Sequence, residues 1–212
     1  MFDIGANVGD KSATFCNYSQ RVIAVDPDRH NYQLLKRRFF FRKKVIVINA
    51  AVGSNEGRDF FYLNSPGSPS NTMSTKWKGI LEDAKVNRWA KSILFTDAYE
   101  VEVVTLDTLV DRYGVPSYIK IDVEGYENQV LAGLTKVIPI ISFEANFPDF
   151  KDETIQCIHK ISLLSQAATY NIIDDEFIFF WKENKDFNFV LNWLMMTELK
   201  YFEVFCFSKE VS

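Results

Sequence analysis

A glycine turn near the start of the chain sets the terms for its fold. The run Phe2-Asp3-Ile4-Gly5-Ala6-Asn7-Val8-Gly9-Asp10 passes from an apolar triplet, through two glycines four residues apart, into an amphipathic stretch. Glycine lets the backbone take positive φ and approach a bound ligand closely. The free N–H groups of such a turn, and of the helix it opens, receive a carboxylate or a phosphate. A strand that ends in this way belongs to a βα unit, and more units follow. Apolar runs at 21–25 and 45–49 alternate with helical stretches at 10–18 and 28–42. The apolar runs lack clean in/out alternation, so their strands are expected to be covered on both faces of a parallel sheet.

The α/β rhythm breaks between 65 and 99. Ser65-Pro66-Gly67-Ser68-Pro69-Ser70-Asn71 is turn-rich and reads as a loop. The polar piece at 78–92, next to Trp77 and containing Trp89, reads as a helix. The stretch 65–99 is therefore expected to be a lid inserted into one domain spanning 1–212. Beyond it, strands are expected at 101–105, 118–121 and 140–143, with helices at 106–113, 128–137 and 154–168. The tail reads differently. Strands at 170–173, 177–181 and 202–207, with no long helix between them, suggest antiparallel closure of the sheet edge.

Composition narrows the functional classes. A net charge of −4 over 212 residues disfavours a general nucleic-acid binder. The basic run Lys36-Arg37-Arg38 with Arg42-Lys43-Lys44, around three phenylalanines, reads as the solvated end of a helix. Cys16, Cys157 and Cys206 are scattered and odd in number, which indicates neither a zinc site nor a disulfide framework and points to a reducing, cytoplasmic setting. No apolar run reaches the roughly 18 residues of a membrane span. The abrupt start of the first strand after Met1 suggests a domain of a longer, multidomain chain.

Five motifs carry the chemistry. Gly5-x-Asn7-x-Gly9 departs from the G-x-G-x-x-G of dinucleotide binders, and suits a nucleoside bearing an amino acid better than a pyrophosphate. Asp26, in Val22-Ile23-Ala24-Val25-Asp26-Pro27-Asp28, ends the next strand about 20 residues on, where a carboxylate grips both hydroxyls of a ribose. Asp28 suits a helix N-cap. Ala50-Ala51, after the third strand, leaves room for a flat base. Tyr118-Ile119-Lys120-Ile121-Asp122-Val123-Glu124-Gly125 then puts Asp122 and Glu124 at the carboxyl edge of the fourth strand, and Glu144 and Asn146 fall at the same edge of the fifth. Open α/β sheets bind ligands at that edge. Crowded carboxylates there need a cation or a proton.

Taken in order, FDIGANVGD, VIAVDPD, NAAVG, VVTLDTL, KIDVEGYE and SFEAN resemble the FkbM family of methyltransferases. The resemblance covers about 2–146. It implies an α/β fold of the class I, Rossmann-like type, with a mostly parallel seven-stranded sheet and helices on both faces. It implies S-adenosylmethionine as methyl donor and O-methylation as the usual outcome. By the family pattern, Asp3, Gly5, Asn7 and Gly9 face the methionine part of the donor, Asp26 holds its ribose, Ala51 lies near adenine and Asp122 sits beside the sulfonium.

Sugar hydroxyls are weak acids, so a divalent metal on Asp122, Glu144 and Asn146 is expected to lower the acceptor's pKa, with Glu124 as the base. Mg²⁺ or Mn²⁺ suits all-oxygen ligands. A metal-free version with Asp122 or Glu124 as base stays open, and Asp122, Glu124 and Glu144 are the catalytic candidates in either case. The expected acceptor is a sugar hydroxyl on a glycan, a deoxyhexose such as rhamnose, in a setting such as a virus-encoded glycan-assembly protein. Trp77, Trp89, Tyr99 and Trp181 are candidate stacking faces for its ring, with Asn71, Ser74 and Thr75 to bond its hydroxyls. An adenine-amino methyltransferase is disfavoured because Asp122-Val123-Glu124-Gly125 lacks the expected proline pair. A binding module without catalysis is disfavoured because Asp3, Gly5, Asp26 and Asp122 are all present.

Overall fold

The computed structural model describes residues 1–83, 85, 92–174 and 178–208. In chain order its elements are β1 (Phe2–Ile4), α1 (Asp10–Phe15), β2 (Val22–Val25), α2 (Arg29–Arg38), β3 (Val45–Ile48), β4 (Ala51–Val52), β5 (Gly57–Leu63), α3 (Thr75–Glu82), β6 (Asp97–Val104), α4 (Leu106–Tyr113), β7 (Ile119–Ile121), α5 (Glu127–Ala132), β8 (Ile140–Asn146), α6 (Lys151–Leu164), β9 (Thr169–Ile173), α7 (Phe187–Met196) and β10 (Tyr201–Phe207).

Seven strands form one sheet in the order β3-β2-β1-β7-β8-β10-β9. The first five lie parallel, and β10 runs antiparallel between β8 and β9. This is the expected α/β sheet with its expected antiparallel edge. The absence of in/out alternation has the expected cause. All four residues of β2 are buried. Ile23 and Val25 join the core that includes Leu106 and Leu109 of α4 and Val130 and Leu131 of α5. Ala24 faces the other way, against Leu35 and Phe39 of the α2 region, and Val22 packs on Phe15 of α1. Each large aliphatic side chain buried in this way contributes about 1.5–3 kcal/mol before the entropy of ordering is set against it.

Two parts of the architecture differ from the sequence expectation. Gly57–Leu63 and Asp97–Val104 pair antiparallel, and Ala51–Val52 adds a parallel strand, giving a second sheet in the order β4-β6-β5. In the tail, where no long helix is expected between the strands, ten residues form α7, which buries Val190 and Leu194. Its sequence Phe-Asn-Phe-Val-Leu-Asn-Trp-Leu-Met-Met is apolar nearly all round, so it shows no helical stripe to read. The strand expected at 177–181 is, among the described residues, a single bridge between Ile173 and Phe179; residue 177 lies outside them.

The described residues of segment 65–99 form a loop, then α3, then the start of β6. Ser74 caps α3, accepting from Trp77 N at 3.1 Å. Trp77 and Leu81 pack against Phe150 beside α6, which pins the segment to the body. The loop is tied down by Asp28. That residue caps α2 as expected, and its Oδ2 also accepts from Gly67 N and Asn71 Nδ2, both at 2.8 Å. Most of the expected helix end, including Trp89, falls outside the described residues. Among the described residues, no helix is long and apolar enough to cross a membrane.

Candidate functional site

The carboxyl ends of β1, β2 and β7 meet at the glycine turn. Gly5 has φ +78°, and a Cβ there would collide with the Asp122 carbonyl oxygen, so only glycine lets β1 turn beneath the end of β7. Asn7 follows at φ 48°, a conformation asparagine tolerates better than most residues. Its backbone N–H donates to Asp26 Oδ2 at 2.7 Å, and the N–H of Asp28 donates to Asp26 Oδ1 at 2.9 Å. The Asp26 carboxyl is thus fixed at the strand end. Burial lifts its pKa to about 7, against those two amides, which pull it down.

A cleft opens over these groups. Gly5, Asn7, Asp26, Ala51, Asp122 and Glu124 all line it, so six of the expected site residues share one wall. Phe61 of β5 and Met73 add apolar surface beside Ala51. Sequence reasoning missed both: β5 itself was not legible, and Met73 sits in the loop before α3 with no pattern to mark it. Two expected residues stand behind the cleft. Asp3 is 1% exposed and accepts from Ser12 Oγ at 2.5 Å, tying β1 to α1; burial, the largest influence, holds its pKa up. Gly9, at φ +84°, begins α1 where a Cβ would press on Leu35 and Phe39.

Asp122 also walls a second pocket, shared with Lys11, Lys120, Glu144, Tyr201 and Glu203. Lys120 Nζ meets Asp122 Oδ2 at 2.5 Å, with only 8% of the lysine side chain exposed. Burial opposes the ammonium charge, but Asp122 and Asp3 outweigh it and raise the Lys120 pKa above its ordinary value. Sequence reasoning missed this lysine too. The signal was there: a charged residue in the middle of the fully buried strand Ile119–Ile121 rarely survives without a partner.

Glu144 accepts from Tyr201 hydroxyl at 2.5 Å and from Asn146 Nδ2 at 3.0 Å. Burial first, then the nearby Asp122 charge, raises its pKa. The Asp122, Glu124 and Glu144 carboxylates each offer an oxygen within 4.8 Å of the others. Asn146, expected as a third metal ligand, turns its amide nitrogen to Glu144 and braces it. Glu124 takes φ 55°, an uncommon backbone for its type, and its carbonyl accepts from Thr72 hydroxyl at 2.7 Å. Buried Glu127 accepts from the amides of Val123 and Gly125, both at 3.2 Å, and so holds the same loop from below. Burial and then Glu144 raise the Glu127 pKa to about 8.

Among the described residues, the expected stacking faces Trp77, Tyr99 and Trp181 are not gathered here; Trp89 lies outside them. Trp77 is 3% exposed and packs edge-on against Phe150. Trp181 packs against Trp193 and Phe189. Tyr99 receives Arg29 N on its hydroxyl and the Arg29 guanidinium over its ring at 4.3 Å. Of the polar candidates, Asn71 serves Asp28 and the Ser65 carbonyl, and Ser74 serves the α3 cap.

A strand order of this kind, with a cleft at the carboxyl edge of its parallel strands, is that of the class I methyltransferase fold. Residues 3–202 match the methyltransferase FkbM domain, and the chain belongs to that family. It carries an S-adenosylmethionine-dependent methyltransferase domain. The hexuronic acid methyltransferase AglP of Haloferax volcanii is 24% identical over 146 residues, covering 68% of this chain and 53% of the relative. The match thus spans about half the length of that protein. Among solved structures, the precorrin-6y C5,15-methyltransferase of Geobacter metallireducens is similar with a TM-score of 0.46 and 9% identity, covering 99% of this chain and 80% of that one. A putative RNA methyltransferase from Pyrococcus horikoshii is similar with a TM-score of 0.42 and 12% identity, covering 100% and 73%.

Proposed function

We propose that this domain moves the methyl group of S-adenosylmethionine to a sugar hydroxyl on a glycan, with a deoxyhexose such as rhamnose as the acceptor to test first. The observation that carries this reading is the position of Asp122. It is the wall common to the nucleoside cleft on one side and, on the other, a pocket of carboxylates, a tyrosine and lysines suited to a polyol. The Haloferax volcanii relative, a hexuronic acid methyltransferase, supports the same class of acceptor.

On this reading, Asp26 accepts from the ribose hydroxyls, and Ala51, Phe61 and Met73 enclose the adenine. The turn of Gly5 and Asn7, shaped from behind by Asp3 and Gly9, takes the amino-acid end. The donor supplies a methyl already activated on a sulfonium. The chain's own residues align the acceptor and remove a proton, and good alignment alone supplies up to about 7–11 kcal/mol. Lys120 fixes the orientation of Asp122. Tyr201 and Asn146 fix Glu144. Asp122 and Glu144 offer carboxylate oxygens that would hold Mg²⁺ or Mn²⁺, with Glu124 within reach of both as the base. When bound there, such an ion lowers the pKa of the acceptor hydroxyl and neutralises the cluster. Glu124 then takes the proton. The chain is read as one domain whose segment 65–99 covers the cleft, to which it contributes Ser68, Pro69, Asn71 and Met73.

The test is mass spectrometry after incubation with the donor and a panel of rhamnosides, uronosides, short RNAs and peptides. A one-methyl mass gain on a sugar, abolished by chelator and restored by Mg²⁺ or Mn²⁺, supports the whole reading. Activity on sugars in excess chelator removes the metal alone. Transfer to RNA or peptide, with none to any sugar, overturns the acceptor class.

A further inference from the structure

The end of α2 carries a feature that methyl transfer does not use. Phe39 is buried, but the next two rings turn outward: Phe40 is 74% exposed and Phe41 is 91% exposed. They stand edge to face, 4.9 Å apart. Around them Lys36, Arg37, Arg38, Arg42, Lys43 and Lys44 are all exposed. Arg38 is engaged by Asp10 and the Val8 carbonyl. Among the described residues, none of the other five forms an ion pair with a carboxylate. The six bases occur in a chain of net charge −4, so the remainder carries −10. The tip is therefore opposite in sign to the rest of the protein.

Leaving two adjacent phenylalanines in water forfeits most of what burying them would contribute. Phe39 shows that the local fold can bury a ring at this turn. We infer that the tip 36–44 is a docking surface for an anionic lipid membrane. Phe40 and Phe41 enter the headgroup boundary, and Arg37, Arg42, Lys43 and Lys44 contact the acidic headgroups.

The geometry favours a membrane over a nucleic acid. Single-stranded nucleic acids bind aromatic rings laid along a groove, where each base stacks on a ring face. Here the two rings cap an exposed turn at right angles to each other, the edge of one against a face of the other, and so offer no row of parallel faces. A flat anionic surface also meets the tip alone, whereas a long polyanion would run onto the acidic remainder. The acidic remainder orients the molecule tip-first. Lys44 O accepts from Val22 N at the start of β2, the end of the strand remote from Asp26. The docked protein therefore keeps its cleft turned away from the lipid, open to an acceptor that projects from the surface.

The experiment is flotation of the whole chain with vesicles of neutral phosphatidylcholine, and with the same lipid containing phosphatidylserine, at low and physiological salt. The chain should float with the anionic vesicles and not with the neutral ones. Reversing Arg42, Lys43 and Lys44 to glutamate should weaken partitioning by about a hundredfold, from roughly 1 kcal/mol per base near an anionic surface. F40S/F41S should weaken it about tenfold even though no charge changes. Donor affinity, measured on the same variants, should stay unchanged, since none of these residues lines the cleft. Three results would overturn the proposal: no flotation with anionic vesicles at low salt, flotation indifferent to F40S/F41S, or tighter binding to a single-stranded RNA than to the vesicles.

Discussion

The two halves of the site are built in different ways. On the proposed donor side, the polar parts come from consecutive βα units: the Gly5 turn, Asp26 at the next strand end and Ala51 after the third. Its anchoring bonds, such as Asn7 N to Asp26, span 19 residues. On the acceptor side, the parts come from strands far apart in the chain. Tyr201 reaches Glu144 across 57 residues, and Ser142 donates to Glu203 across 61. Asp122 joins the two, held from one side by Lys120. The donor half thus takes its polar anchors from neighbouring βα units, while Phe61, Met73, Asp122 and Glu124 close its cleft from farther along the chain. The acceptor half exists only once β10 has inserted between β8 and β9.

The largest expected effect lies at the junction. Asp122→Ala should lower kcat at least a thousandfold, about 4 kcal/mol, while the melting temperature falls little. A loss of turnover fully explained by unfolding would show that Asp122 is a structural bridge and not the meeting point of two pockets.

The local character of the donor half is tested next at Gly5. Gly5→Ala sets a side chain against the Asp122 carbonyl at positive φ, and should destabilise the fold by about 3–4 kcal/mol in denaturant titrations. A near-neutral result would mean that the turn is looser than its close approach to the Asp122 carbonyl implies.

Asp26 gives a third and smaller effect. Asp26→Ala should weaken donor binding by about 2–4 kcal/mol through the lost hydrogen bonds to ribose. Its raised pKa adds a pH signature. Ribose hydroxyls donate to the ionised form, so donor affinity should fall up to about tenfold as pH drops from about 8 to about 6, through the pKa of about 7. Stability of the unliganded protein has the opposite sign. A carboxyl whose folded pKa is raised stabilises fully below its ordinary range and loses that contribution as pH rises through the folded value. Asp26→Asn should flatten both profiles; an unchanged affinity profile would remove Asp26 from the ribose.

The smallest effect belongs to segment 65–99. Gly79 sits within α3 with nothing near its absent side chain. Gly79→Ala should stabilise the protein by about 0.5–1 kcal/mol. A loss of activity at saturating substrate in that variant would show that α3 must flex during turnover.

How much the sequence disclosed follows the same division. Asp26 was readable because strand, turn and carboxylate lie within a short window of fixed spacing. Asp28 was readable as a cap because capping is local. The second sheet was missed because Gly57–Leu63 begins with four exposed residues and becomes a strand only through pairing with Asp97–Val104. α7 was missed because a helix apolar on most sides has no periodic stripe. Trp77 was taken for a sugar platform, but type alone does not separate a ring in a pocket from a ring in a core. Lys120 was in plain view within Ile-Lys-Ile, yet its partners Asp3 and Asp122 converge on it only in the folded sheet.

The division itself is most directly tested by titration calorimetry of S-adenosylmethionine into three proteins: the unaltered chain, Asp26→Ala and Tyr201→Phe. Tyr201 orients Glu144 on the acceptor side and is not among the residues lining the donor cleft. A loss of donor affinity confined to Asp26→Ala, with Tyr201→Phe binding as the unaltered chain does, is the expected result. Equal losses in both variants, or a loss in Tyr201→Phe alone, would contradict a site made of two separately built halves joined at Asp122.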